Sequence, residues 1–275
     1  MKKFVSLLLL NLYILTPVFA NIEKNDAEYL QSKKHFAIIN PFAESLAQHI
    51  IKKALKKEIG PGKYKVKFIG YTLNSMKKGI FKKLEIEGKN LTIDQIPVSY
   101  LKLNTTTNYN WIDFHQKPIK IKSDINFDYS LELSEKSINE ALNKNDYQKI
   151  LDKVNKRAYP LFAMQDVKIR VKNNKVYIIM NYILPLVSSN KIKNFMVSSD
   201  FKVEDGKILA TNVQLDKSYG NLPLDKITNL INLLDPLSFT LNILKEENCQ
   251  GKIDNVKIES NNIQINGRIL IKKGE

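Results

Sequence analysis

The chain has 275 residues, 43% of them apolar, with 43 Lys and Arg against 28 Asp and Glu, giving a formal net charge of +15. That apolar share is enough to bury a real core, in one large domain or two small ones. The single cysteine, Cys249, excludes an internal disulfide, so stability has to come from packing.

The first 20 residues have the three parts of a secretory signal. Met1-Lys2-Lys3 is a charged start, Phe4 to Thr16 is an apolar run, and Val18 and Ala20 put small residues before a cut after Ala20. The run is shorter than the roughly 20 residues a membrane span needs. Cleavage removes Lys2 and Lys3 and leaves a charge of +13. No later segment approaches spanning length, so the mature protein is expected to be soluble or peripheral, in the periplasm or outside the cell. Residues 21–38 are polar with little periodicity and read as a tether, and 39–275 read as a single domain.

Asn40-Pro41 predicts a helix start, with Asn40 as cap. Phe42, Leu46, Ala47, Ile50, Ile51, Ala54 and Leu55 then recur at steps of three and four, covering about half a helix. Lys52, Lys53, Lys56 and Lys57 favour its C-terminal dipole, and Gly60-Pro61-Gly62 stops it.

The period then falls to two. Tyr64, Val66 and Phe68 alternate with lysines, as do Leu84 and Ile86 with charged residues, and Gly88-Lys89-Asn90 predicts a turn towards Leu91 and Ile93. Val98 to Leu103 and Ile125 to Leu133 alternate likewise, predicting half-buried antiparallel strands. Ser134 is a cap for a helix through Ile138, Ala141 and Leu142, and a further helical pattern runs from Tyr147 to Val154. Val167 to Val171 and Val176 to Leu184 predict strands about a turn at Lys172–Lys175. Phe195 to Val203 and Ile208 to Leu215 flank the hairpin signal Glu204-Asp205-Gly206. A helix follows Pro223 through Leu224, Ile227, Leu230, Ile231 and Leu234. Ile253 to Ile258 and Ile263 to Ile271 close the order as two strands about Asn261-Asn262.

This order argues an α+β fold, a curved antiparallel β-sheet wrapped around amphipathic helices. Such a sheet can leave an apolar trough beside its helices, where each buried acyl methylene contributes about 0.8 kcal/mol. The excess charge is nearly all lysine, with Arg157, Arg170 and Arg268 the only arginines. Lysine is a hydrated point charge suited to attraction, so an anionic membrane surface is the expected peripheral partner and nucleic acid is not.

Catalytic spacings are missing. His35, His49 and His115 are the only histidines and none belongs to an H-E-x-x-H pattern, and there is no G-x-S-x-G elbow. Gly60-Pro61-Gly62-Lys63 departs from the phosphate-loop pattern at Lys57 and Tyr64. The expectation is a protein without catalytic residues, cofactor or metal, with an envelope enzyme of unrecognised site as a third reading that missing motifs leave open. Asn90-Leu91-Thr92 and Asn104-Thr105-Thr106 match the glycosylation triplet, which arises often by chance.

From about residue 124 onward the sequence resembles the LmeA-type phospholipid-binding family of bacterial exported proteins. The segments that carry this are Leu133 to Leu142, the hairpin Phe201 to Ile208, and Val256-Lys257-Ile258 with Ile265-Asn266-Gly267-Arg268. The opening helix and lysine-alternating strands are similar to that family's N-terminal half. The resemblance implies a tubular lipid-binding relative of the bactericidal/permeability-increasing fold, with a long helix cradled in a curved sheet. It also implies phospholipid binding in the periplasm and a role in envelope lipid or glycolipid metabolism. The high lysine content and the Asn104–Asn110 stretch depart from the family and leave headgroup preference open.

The leading expectation is thus a carrier or accessory factor for phospholipid or a related acyl lipid. Candidate groove-lining residues are Leu46, Ile50, Phe68, Ile86, Val167, Ile178 and Ile231, each of which reads more readily as ordinary core than as a lipid contact. The alternative is a non-catalytic envelope scaffold that uses the same sheet to bind a protein partner, whose identity the sequence leaves unknown.

Overall fold

The computed structural model describes residues 33–93, 96–113, 120–159, 162–186, 192–215, 224–237, 249–259 and 261–274. The export signal at 1–20 and the tether as far as residue 32 lie outside the described residues. Five helices, α1 (Lys33–Glu58), α2 (Leu73–Lys77), α3 (Glu135–Leu142), α4 (Asn145–Ala158) and α5 (Leu224–Leu234), accompany twelve strands among these residues. With antiparallel pairing in the registers of the described strands, the protein is α+β. Among the described residues no helix is long and apolar enough to cross a membrane.

The chain divides into two compact units. One comprises Met1–Leu131, Ile243–Lys252 and Gly267–Glu275, and the other Glu132–Asn242 and Ile253–Asn266. The larger sheet is built from β1 (Lys63–Gly70), β2 (Ile80–Ile93), β3 (Ile96–Thr105), β4 (Asn110–Asp113), β5 (Lys120–Ile121), β6 (Ile125–Ser134), β11 (Cys249–Glu259) and β12 (Asn262–Ile271). Its order is β11-β12-β6-β3-β2-β4-β5, with β1 also paired to β2. The smaller sheet is a meander, β10-β9-β8-β7, of β7 (Ala163–Lys172), β8 (Lys175–Ile183), β9 (Lys193–Glu204) and β10 (Lys207–Leu215).

In the first unit, α1 begins at Lys33, earlier than Asn40-Pro41 predicts, and takes in the last six residues of the expected tether. Pro41 lies inside the helix and removes one N–H from its hydrogen-bond ladder. The predicted turn at Gly88-Lys89-Asn90 is also corrected, because β2 runs through it unbroken. Asn90 takes a left-handed φ of 54°, and the buried face shifts there from Leu84, Ile86 and Gly88 to Leu91 and Ile93. Its partner β3 shifts with it, from Leu103 and Leu101 to Val98 and Ile96. A Cβ on Gly88 would sit 2.6 Å from the Leu91 side chain, so a glycine leaves the space that Leu91 fills. The short helix α2, capped by the Thr72 hydroxyl accepting from Ser75 N–H, has no counterpart in the sequence expectations.

In the second unit the predicted caps and turns are found. The Ser134 hydroxyl accepts from Ser137 N–H at 3.2 Å in a reciprocal capping box at the start of α3. Asn173 and Asn174, and Asp205 and Gly206, all have positive φ, the backbone that two-residue hairpins need to follow the twist of their strands. Ile138, Ala141, Leu142, Tyr147, Leu151, Ile227, Ile231 and Leu234 supply the buried helical faces.

Candidate functional site

The candidate residues fall into two sets. Leu46 and Ile50 lie on α1, Phe68 on β1 and Ile86 on β2, all in the first unit. Val167 on β7, Ile178 on β8 and Ile231 on α5 belong to the second. In the first set, Val66 faces Ile86 and Phe68 faces Leu84 across β1 and β2. In the second, Val167 faces Met180 and Ile169 faces Ile178. Ile50, Phe68, Ile86, Val167, Ile178 and Ile231 are buried, and Leu46 is half-buried.

The helix α1 is held at the free edge of β1 by two polar side chains. Glu44 Oε1 accepts from Gly70 N–H at 2.8 Å, and Gln48 Nε2 donates to the Phe68 carbonyl at 3.3 Å. This fixes its rotation, so Ala43, Ala47, Ile50, Ile51, Ala54 and Leu55 turn into the core. Phe42, counted on sequence as part of the same apolar arc, instead stands 67% exposed. Phe42, Leu46 and Ile50 lie four residues apart and so form one row along the helix. Exposure falls along that row from 67% at Phe42, through a half-buried Leu46, to 8% at Ile50. The row is an apolar ramp leading from solvent towards the core.

Charge is distributed unevenly around this ramp. On the outward face of the sheet, Lys67 and Asn104 flank Glu85, and Lys65 and Lys102 flank Glu87. A hydrogen bond from Lys83 holds the Glu85 carboxyl below its ordinary range, against partial desolvation, with Lys67 and Lys102 adding to the effect. Lys89 Nζ lies 5.9 Å from the centre of the Tyr100 ring. Two glutamates on β2 therefore offset much of the lysine charge of their neighbours. On α1 the balance is different: Lys52, Lys53, Lys56 and Lys57 are all exposed in its last two turns, with exposed His49 one turn before. That end of the helix is where cations also complement the backbone dipole.

Among the described residues, no group of three or more His, Cys, Asp or Glu side chains is placed to hold a metal ion. The Asn104 Oδ1 atom is buried without a hydrogen-bond partner, whereas Asn90 in the other triplet is exposed. The sequence reading missed the exposure of Phe42, since periodicity places it on the same arc as buried residues. The only signal was its position at the N-terminal end of that arc. No family model, curated protein or solved structure matches this chain.

Proposed function

We propose that this protein is an exported lipid-binding module of the cell envelope. It takes up phospholipid or a related acyl lipid as a carrier or accessory factor in envelope lipid or glycolipid metabolism. In this reading the strands of the first unit cradle α1 in the tubular lipid-binding manner that the sequence resemblance implies. The observation that carries the proposal is the ramp Phe42, Leu46, Ile50, an apolar row that is continuous from solvent to core. An acyl chain laid along such a row gains about 0.8 kcal/mol for each methylene it removes from water, so affinity needs no specific polar contact. The exposed lysines of the last two turns of α1 add a general attraction to anionic lipid surfaces.

Native mass spectrometry of gently purified protein is expected to show bound phospholipid. Leu46→Asp is expected to lower its occupancy at least about tenfold, with a thermal melt lowered but still cooperative because the side chain is only half-buried. A clean apo mass for the native chain, with no lipid transfer between liposomes, overturns the proposal.

A further inference from the structure

One end of the second unit is apolar, cationic and exposed. The smaller sheet ends there in a row fixed by register: Met164 on β7 faces Tyr182 on β8, which faces Lys193 on β9. The last turn of α4 is tied to the same row, because Asn155 Nδ2 donates to the Met164 carbonyl at 2.8 Å and Asn155 Oδ1 accepts from Met164 N–H at 2.6 Å. Beyond this row the chain carries Tyr159, Leu186 and Ile192, which are 67%, 65% and 66% exposed. Tyr159 comes from the connection after α4, Leu186 and Ile192 from the two ends of the connection between β8 and β9, and the register of Met164, Tyr182 and Lys193 puts both connections at the same end of the sheet. Behind them the rings of Phe162 and Tyr182 stack at 5.0 Å, and Tyr182 meets Phe195 edge-on at 5.6 Å, giving a stiff aromatic base.

The charge at this end has one sign. Among the described residues of the row and beyond it are the cations Lys156, Arg157 and Lys193, all exposed, and no carboxylate. Inward of it, Asp166 on β7 is engaged by Asn181 Nδ2 at 2.6 Å and by Lys168 at 3.7 Å, and the exposed Asp152 lies a turn further back along α4. Three large apolar side chains collared by cations fit an anionic bilayer surface: the apolar groups enter the headgroup boundary while the cations stay level with the phosphates. Tyr159, Leu186 and Ile192 in a protein-binding patch would serve as well without the collar; the cationic surround is what favours lipid.

We propose that this end of the second unit is the face by which the protein docks on anionic membranes. The inference deepens the lipid-binding reading and rests on it for the class of partner, while assigning the membrane contact to residues outside the ramp on α1. Sedimentation of the full chain with phosphatidylcholine vesicles containing about one quarter phosphatidylglycerol tests it. Each exposed side chain contributes about tenfold to partition, so the triple variant Tyr159→Ser, Leu186→Ser, Ile192→Ser is expected to bind these vesicles at least about a hundredfold more weakly. Arg157→Glu with Lys193→Glu is expected to lose preference for the acidic vesicles over pure phosphatidylcholine. Leu186→Asp alone repeats the test at a single exposed position should the triple variant not melt like the native protein. Binding of the folded variants equal to that of the native chain overturns the inference, as does capture of a stoichiometric protein at these residues with no vesicle binding. Co-purified phospholipid is measured in the same preparations. If lipid is retained while vesicle binding ignores the substitutions, only this inference falls; if the native chain holds no lipid yet docks through these residues, only the carrier reading falls.

Discussion

Gly267 shows what a single position carries in this fold. A Cβ there would collide with the backbone carbonyl of Lys252 and lie 2.7 Å from the Tyr129 hydroxyl, so β12 is able to pass close to both only because residue 267 has no side chain. Backbone cannot swing aside as a flexible side chain can. Gly267→Ala is therefore expected to destabilise the protein by about 2 kcal/mol or more, read as a lower urea midpoint with an unchanged slope. In the sequence, Gly267 falls inside the alternating run Ile263 to Ile271, and nothing there names the neighbour that requires it. The same limit applies to Phe42 and Leu46. Their spacing is plain from the sequence, but the rotation of α1 that exposes one and half-buries the other is set by Glu44 and Gln48 reaching β1.

At the scale of elements, helices protect the sheet edges with side chains that imitate a neighbouring strand. Along β7, Asn139 donates to and accepts from Ile169, both at 2.8 Å, Asn155 does the same for Met164, and Glu135 accepts from Val171 N–H at 3.0 Å. On β10, Asn232 accepts from Ala210 N–H at 2.9 Å. An uncovered edge is a template for pairing with another chain. Asn139→Ala leaves two backbone groups of Ile169 without these partners, and a loss of about 1–3 kcal/mol is expected. Hydrogen exchange at the Ile169 amide should accelerate, and light scattering should show earlier aggregation on heating. The strands and the hairpin turns at Asn173-Asn174 and Asp205-Gly206 were legible because alternation and turn chemistry are local. The caps were not, since Asn139 and Ile169 are thirty residues apart in sequence and an asparagine on an amphipathic helix reads as a solvent-facing residue. The continuous β2 was misread for a related reason: Gly88 and Asn90 carry turn composition but serve a change of face within one strand.

For the molecule as a whole, two buried tyrosines make stability depend on alkaline pH. Burial raises the Tyr64 phenol from its ordinary 10 to about 12, and burial, with the Asp235 charge adding, raises Tyr147 further. The unfolded chain releases these protons near pH 10 while the folded chain keeps them, so above that pH the unfolded state binds fewer protons and stability falls as pH rises. The stabilisation is complete below about pH 10 and is lost progressively through about 12. Urea unfolding at pH 9, 10 and 11 is expected to show a falling midpoint, and Tyr64→Phe to flatten part of that fall. A midpoint independent of pH across this range would refute the assignment. The α+β class was readable from the order of periodicities, whereas the division into two compact units was not, because both share the same alternating strands and amphipathic helices.

The order of strands in the larger sheet has a consequence for synthesis. In the meander β7 to β10 each strand pairs with the next, so it can assemble as soon as its turns emerge. By contrast β6 has its second neighbour in β12, made more than about a hundred residues later. A nascent chain therefore carries β6 with one side unpartnered until the late hairpin of β11 and β12 arrives. During that interval the growing polypeptide is most exposed to mispairing, and most in need of a chaperone's cover.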